Sequence, residues 1–300
     1  MLLHNDKNLF EQTILQVAQK SGIEAGIIEK DYYVTLLLRE LTNALPSMIF
    51  KGGTSLSKCH KVIKRFSEDI DITLDENHLT QGNRKSVKTA IENACDKLGF
   101  SITNIGDIKS RMDFNHYVIE YPGMFSIAGI KPDIEIDTIF SIRSFPYERI
   151  LGTSIIYDYL KYMPLDDFIE TYELEPFMVK TQSIDRTFID KVFALCDYYL
   201  QGKTTECSRH LYDIYKLYPL ISDGLTIKRL AKETREERMN SPFCESADPK
   251  NDINGILQEI ADSDYYKKDY ENNTSVLLYD NVDYNEAKTI LWKIIDSKEF

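Results

Sequence analysis

The chain has 300 residues, of which 43% are hydrophobic and 28% are charged, a composition that excludes collagen, coiled coils and wholesale disorder. Its 36 Lys and Arg residues against 48 Asp and Glu residues give a net charge of −12, which argues against a protein that coats nucleic acid non-specifically. No apolar run approaches the roughly 20 residues that cross a bilayer, and no signal peptide is readable. We therefore expect a cytoplasmic protein of about two domains.

The first half of the chain mixes helical and strand patterns. Apolar residues recur at helical spacing over 8–20 and 23–45, which predicts two helices. The apolar run 48–50 predicts a buried strand that ends at two glycines, after which Thr54 or Ser55 can begin a short helix. Alternation over 69–74 predicts a half-buried strand, and further elements are expected as a helix ending near residue 98 and strands near 100–105, 117–121 and 132–140.

From Pro164 onward the strand signals largely vanish. Helical periodicity returns five times, over residues 187–200, 208–217, 226–239, 253–261 and 284–295. The polar stretches 241–251 and 262–274 are expected to be exposed loops. The sequence therefore predicts an α+β fold, with a mixed sheet and flanking helices in residues 1–160 and a helical domain in residues 161–300.

The stretch from Lys51 to Asp71 carries the chemical signal. Gly52 and Gly53 would let the backbone approach a triphosphate closely, and Thr54 or Ser55 at a helix start would supply a hydroxyl and free amides. On the following strand, alternation places Asp69 and Asp71 on one face, where they could hold a divalent metal ion. Either motif alone is common, and their order along the chain favours phosphate chemistry.

A third carboxylate would complete a two-metal site. The later strand offers Asp133, Glu135 and Asp137 on one face, and Asp137 is our first choice. Glu135 remains an alternative to Asp137.

Five ordered blocks of the sequence resemble a known family. They are Glu29–Val34, Gly52–Leu56, Arg65–Asp71, Arg186–Lys191 and Arg209–Tyr215. At these residues the chain resembles the AbiEii/AbiGii toxin family of nucleotidyltransferases, which includes the MenT toxins and belongs to the polymerase-β-type superfamily. The resemblance covers most of the chain, and it implies a nucleotidyltransferase fold followed by a helical half.

The resemblance also implies roles for individual residues. Residues 52–55 match the phosphate-binding turn, and Asp69 and Asp71 match the metal pair, which would take Mg²⁺ or Mn²⁺. Lys191 and Asp213 match helical-domain residues that face the active site. Lys191 would contact the triphosphate, and Asp213 would act as a base or orient the attacking hydroxyl.

The activity implied by the resemblance is metal-dependent transfer of a nucleotide from an NTP to an RNA acceptor, with a tRNA 3′ end as the favoured acceptor. The protein would then be the toxin of a toxin–antitoxin or phage-defence system and would have a cognate antitoxin. Two alternatives stay open. One is transfer to a protein side chain, and the other is a non-catalytic module that binds RNA or a partner.

Five basic residues follow one another at short spacing in the predicted helix 226–239: Lys228, Arg229, Lys232, Arg235 and Arg238. Three glutamates share this segment, and we interpret it as a solvated helix face.

Overall fold

The computed structural model describes residues 1–110, 112–126, 132–142, 144–239, 241 and 243–300. Contacts between residues divide the chain into two compact units. The sheet unit comprises Met1–Cys59, Ser67–Phe140 and Tyr147–Thr181, and the helical unit comprises His60–Phe66, Ser141–Pro146 and Gln182–Phe300. Two short segments of the first half of the chain therefore belong to the helical unit.

Seven strands form one sheet in the order β3-β4-β5-β2-β1-β7-β6. Their bounds are β1 Met48–Lys51, β2 Ile70–Leu74, β3 Ser101–Ile102, β4 Phe114–Glu120, β5 Asp133–Ile139, β6 Tyr147–Gly152 and β7 Phe177–Gln182. Strand β2 pairs antiparallel with β1 and parallel with β5, so the sheet is mixed. The predicted α+β class is confirmed.

Among the residues that the structure describes, six α-helices belong to the sheet unit. They are α1 Lys7–Ser21, α2 Ala25–Ala44, α3 Gly52–Lys58, α4 Gln81–Leu98, α5 Ile155–Leu160 and α6 Asp166–Thr171. Helix α2 is buried along most of its length, because apolar side chains occur on nearly every side of it. Its apolar residues join those of α1, α4 and the sheet in one hydrophobic core.

Three consecutive charged residues on α2 hold three other parts of the sheet unit. The fully buried carboxylate of Glu29 accepts hydrogen bonds from the amides of Met124 and Phe125, at 2.8 and 2.9 Å. Lys30 forms an ion pair with Glu68. Asp31 forms an ion pair with Lys58 at the end of α3 and accepts a hydrogen bond of 2.7 Å from the amide of Ile155. This block of the sequence therefore fixes the segments around β2 and α3.

The helical unit contains α7 Ile184–Leu200, α8 Arg209–Leu217, α9 Gly224–Arg238, α10 Ile253–Asp262, α11 Lys267–Asp269 and α12 Tyr284–Ser297. The five helices that periodicity predicted are all present, with ends shifted by at most three residues. In the described residues, no helix is long and apolar enough to span a bilayer.

Three local predictions were wrong. Strand β7 lies beyond Pro164, where the strand signals had weakened; it forms because Val179 and Thr181 are buried and Thr181 pairs with Phe50 of β1. Helix α3 begins at Gly52 rather than at Thr54 or Ser55. The stretch 262–274 is helical in part rather than an exposed loop, because its tyrosines at 266 and 270 are buried.

The buried Lys30–Glu68 pair predicts that replacing Lys30 lowers the stability of the protein more than replacing an exposed lysine does. Lys30 is 1% exposed, so Lys30→Ala would leave a half-buried carboxylate without this partner and should lower the free energy of unfolding by about 3 kcal/mol. The matched control is Lys97→Ala, because the Lys97 side chain in its pair with Glu40 is 66% exposed and should contribute less than about 1 kcal/mol. Urea denaturation followed by circular dichroism measures both, and equal losses would contradict the assignment.

Candidate active site

Four side chains stand in one row across four adjacent strands of the sheet. The strand register pairs Lys51 of β1 with Asp71 of β2, Asp71 with Asp137 of β5, and Asp137 with His116 of β4. Residues paired in this way point to the same face of a sheet. The neighbouring positions on β5, Ile136 and Thr138, are buried on the other face, so the row lies on the more exposed face.

Gly52 begins α3 directly after this row, and its position requires glycine. Its φ of +77° lies in the left-handed region, and a Cβ added there would overlap Oδ2 of Asp71. The backbone at the start of α3 therefore rests against the Asp71 carboxylate. The structure shows the Gly52 backbone close to a side chain of the protein, and the close approach to a triphosphate that the sequence predicted stays a prediction.

The side-chain hydroxyls of Thr54 and Ser55 form hydrogen bonds within the protein that stabilise the turn. Oγ of Ser55 donates a hydrogen bond to the carbonyl oxygen of Gly52 at 2.8 Å, and Oγ1 of Thr54 lies 3.0 Å from Oγ of Ser67. Both residues are fully buried. The donors that the turn can offer to a ligand are thus the main-chain amides of the half-buried Gly52 and Gly53, since the first amides of a helix have no partner within the helix.

Asp69 lies two residues before Asp71, beside a second concentration of negative charge. The pKa of the neighbouring Glu68 is raised to about 7, chiefly by burial; Lys30 opposes this rise, and the nearby carboxylates of Asp69 and Glu135 add to it. The strand register places Asp137, rather than Glu135, directly beside Asp71. Asp137 therefore remains the better choice as a third acid.

The donor atoms of this site suit a hard divalent cation. Asp71 and Asp137 are cross-strand neighbours, and carboxylate oxygens are the ligands that Mg²⁺ prefers. Among the described residues, the His, Cys, Asp and Glu side chains form no group of three or more arranged around a single point. A carboxylate pair is still sufficient, because Mg²⁺ is commonly held by one or two carboxylates together with water and substrate phosphates.

His116 is the site residue that sequence reasoning missed. Its Nδ1 lies 2.7 Å from Oδ1 of Asp137, and it is the donor, since an ionised carboxylate only accepts hydrogen bonds. The strand predicted from Tyr117 to Tyr121 began one residue too late to include it. The sequence carries no alternating signal here, because Asn115 and His116 are both polar; only the burial pattern of the folded strand alternates, and it places His116 on the same face as Val118.

Lys191 and Asp213 meet in the helical unit, on α7 and α8. Nζ of Lys191 lies 2.6 Å from Oδ2 of Asp213, and Arg65 binds both oxygens of that carboxylate through Nε and Nη2 at 2.7 Å. Burial would raise the pKa of Asp213, but Arg65 and Lys191 hold it well below its usual range. Burial also lowers the pKa of Lys191. Asp213 is therefore an orienting group for two cations and would be a weak base.

The mixed sheet with its flanking helices is consistent with an α+β nucleotidyltransferase fold. A family model described as nucleotidyl transferase AbiEii toxin, type IV toxin–antitoxin system, matches residues 36–290. The chain belongs to this family. A nucleotidyl transferase toxin of such a system takes its nucleotide from an NTP and has an antitoxin partner. A search of curated proteins finds no match.

The contact between Gly52 and Asp71 predicts a specific loss of activity. Gly52→Ala should lower nucleotide transfer by about 100-fold, because the new methyl group displaces the Asp71 carboxylate. Gly99→Ala is the matched control: Gly99 has a φ of +72°, and an added Cβ there meets no described atom within 4 Å. Both variants should lose about 1 kcal/mol of stability from backbone strain. Equal transfer rates per folded molecule would refute the role of the contact.

The buried ion pairs of Asp213 predict a pH-dependent stability. Its pKa is lower in the folded protein than in the unfolded chain, so its charge stabilises the fold above about pH 4 and this contribution is lost as the pH falls further. Asp213→Asn should therefore cost about 3 kcal/mol at pH 7 and progressively less below pH 4.

Urea denaturation between pH 3 and pH 7 measures this difference. Asp262→Asn, at an exposed position at the end of α10, should match the unsubstituted protein throughout this range. A cost for Asp213→Asn that stays constant with pH would contradict the assignment.

Proposed function

We propose that this nucleotidyl transferase moves a nucleotide from an NTP to an RNA acceptor, with a tRNA 3′ end as the acceptor group, in a reaction that requires Mg²⁺ or Mn²⁺. The observation that carries the proposal is the pairing of Asp71 with Asp137 beside the turn at Gly52. This arrangement brings two oxygen-donating side chains next to the main-chain amides at the start of α3. Anionic oxygens and their counter-cation could be accommodated together there.

Asp71 and Asp137 are the residues that would hold the metal ion, and a part for Asp69 rests on the family resemblance alone. When bound, the ion would neutralise triphosphate charge and align the reacting oxygens. The chain's own residues orient these ligands. Gly52 sets the distance between the turn and Asp71, while the hydrogen bond from His116 engages Oδ1 of Asp137, so Oδ2 would be the oxygen that binds the ion.

The turn at residues 52–55 is proposed to bind the β and γ phosphates. The hydroxyls of Thr54 and Ser55 are engaged within the protein and both residues are fully buried, so we assign this role to the main-chain amides of the half-buried Gly52 and Gly53. The short helix α3 keeps these amides in place because Lys58, at its end, is held by Asp31 and Thr35.

Lys191 is proposed to contact the triphosphate, and this role rests on the family resemblance. Its surroundings support a fixed cation, because Oδ2 of Asp213 holds its ammonium group while Arg65 donates to both oxygens of the same carboxylate. We assign to Asp213 the orientation of Lys191 rather than proton abstraction, since its lowered pKa leaves it with little affinity for a proton.

A labelling experiment tests the acceptor. The purified protein is incubated with Mg²⁺, each radiolabelled NTP in turn, total tRNA and candidate acceptor proteins including the antitoxin. We expect label on tRNA and none on tRNA whose terminal ribose has been oxidised with periodate. Asp71→Asn should abolish labelling, whereas Glu120→Gln, an exposed position on β4, should leave it unchanged.

Each other outcome has a definite meaning. Label on a protein band, with none on RNA, would replace the RNA acceptor by a protein side chain. Equal labelling by the Asp71→Asn variant would remove the carboxylate from the mechanism. Absence of label from every band, with toxicity retained by that variant, would leave a non-catalytic binding module.

The His116–Asp137 hydrogen bond predicts a change in the requirement for the divalent ion. His116→Phe removes the donor and should raise the Mg²⁺ concentration for half-maximal transfer by about tenfold. His116→Asn is the control, because its amide can donate from nearly the position of Nδ1 and should restore the dependence of the unsubstituted protein. The same Mg²⁺ dependence in both variants, at matched melting temperatures, would show that His116 does not position Asp137.

A further inference from the structure

A cavity of about 530 Å³ lies in the helical unit, and the sheet-unit carboxylates take no part in it. Its apolar lining includes Phe193 of α7, Leu225 of α9, Ile253 of α10 and Phe300. Phe193 and Ile253 are each 1% exposed, whereas Leu225 is 83% exposed and therefore lies at the mouth. The rings of Phe193 and Phe300 lie 5.9 Å apart, edge to face. A cavity of this size and lining is suited to a planar or aliphatic group.

The same cavity carries a concentrated positive charge. Its lining contains Lys228, Arg229, Lys232 and Arg235 of α9 against one acidic side chain, Glu299. Lys228, Lys232 and Arg235 follow one another at spacings of four and three residues, so they lie on one face of the helix. This excess of basic over acidic side chains in the lining contrasts with the net charge of −12 of the whole chain.

These cations are available to a ligand. Lys228, Arg229 and Lys232 are exposed, and in the described part of the chain none of them forms an ion pair with an acidic side chain. Arg235 is fixed at the cavity by its bonds to the carbonyl oxygens of Ala247 and Asp248, which leave its charge unneutralised. The interpretation of this helix face as merely solvated does not account for the cavity beside it.

We propose that this cavity binds single-stranded RNA, with a base in the apolar space and the adjoining phosphates on Lys228, Arg229 and Lys232. Each nucleotide of RNA combines a planar base with one negatively charged phosphate. The base matches the apolar space of the cavity, and the phosphate matches its basic side chains. The proposal rests on RNA as the acceptor and names where the acceptor strand would be held.

An acidic peptide is the competing ligand, and the geometry favours it less. Peptides are usually bound by addition to a free strand edge or by an extended groove that accepts side chains three and four residues apart. This cavity is lined by residues of helices and by Glu299 and Phe300, and none of the described strand residues lines it. It therefore suits one inserted group flanked by charges.

RNA binding can be measured without catalysis. Fluorescence anisotropy of a labelled 12-nucleotide single-stranded RNA, in EDTA and without NTP, gives the dissociation constant of the full chain at several salt concentrations. Lys228→Gln combined with Lys232→Gln should weaken binding about tenfold. It should also reduce the slope of log K against log salt by about 1.4, because each of the two lost phosphate contacts contributes about 0.7 to this slope.

Two further variants separate charge from the cavity. Lys268→Gln combined with Lys293→Gln removes the same charge from exposed positions elsewhere in the helical unit and should leave binding unchanged. Leu225→Ala, at the mouth, should weaken binding without changing the salt slope. A salt slope that both lysine pairs reduce equally, or that neither pair reduces, would overturn the proposal.

The proposal also fails if a labelled polyglutamate peptide binds with the same dependence on Lys228 and Lys232 and the RNA does not. This outcome would assign the cavity to a protein partner. Failure of nucleotide transfer in the labelling experiment would count against the proposed transfer reaction and not against RNA binding at this cavity. RNA binding that depends on Lys228 and Lys232 would support this inference even if no label reached RNA.

Discussion

The approach of the Gly52 backbone to the Asp71 carboxylate is the constraint on which the sheet-unit site depends. It fixes the start of α3 against β2, and it leaves no room for a side chain at residue 52. Because β2 lies between β1 and β5, the same contact sets the position of the turn relative to Asp137 and His116. The site is thus formed by regular strands and one tight turn, which are more rigid than loops.

Around this constraint, buried charges act by holding segments in place. From a single helix, the Glu29–Lys30–Asp31 block binds three backbone amides and the side chains of Glu68 and Lys58. In the helical unit, Asp213 draws Arg65 and Lys191 together. Buried ion pairs contribute little net stability because desolvation is costly, yet removal of one partner is strongly destabilising. Their consequence here is a single arrangement of the functional side chains.

The sequence predicted those features that depend on local pattern. Alternation located β2 and its two aspartates, periodicity located α7 and α8, and the glycine pair located the turn. Features that depend on pairing between distant segments were not readable. The register that places His116 beside Asp137 pairs residues that are 21 positions apart in the sequence. Strand β7 likewise forms by pairing with β1, which lies far from it in the sequence.

The same limit applies to the helical unit. Burial of Tyr270 shows why a polar stretch after residue 262 folds into helical turns, and no local signal assigned His60–Phe66 to this unit. The basic face of α9 was visible in the sequence, but the cavity beside it requires residues from α7, α10 and the chain end. The spacing of residues along α9 carries no information on which residues of other elements lie beside it.

The most direct test of the account is electron paramagnetic resonance of Mn²⁺ titrated into the protein with a non-hydrolysable NTP. If Asp71 and Asp137 share a divalent ion, the unsubstituted protein binds Mn²⁺ in the presence of the nucleotide, and Asp71→Asn or Asp137→Asn each weakens that binding by tenfold or more, about 1.4 kcal/mol. Glu120→Gln should bind Mn²⁺ as the unsubstituted protein does. Equal affinity for Mn²⁺ in all four proteins would contradict the account.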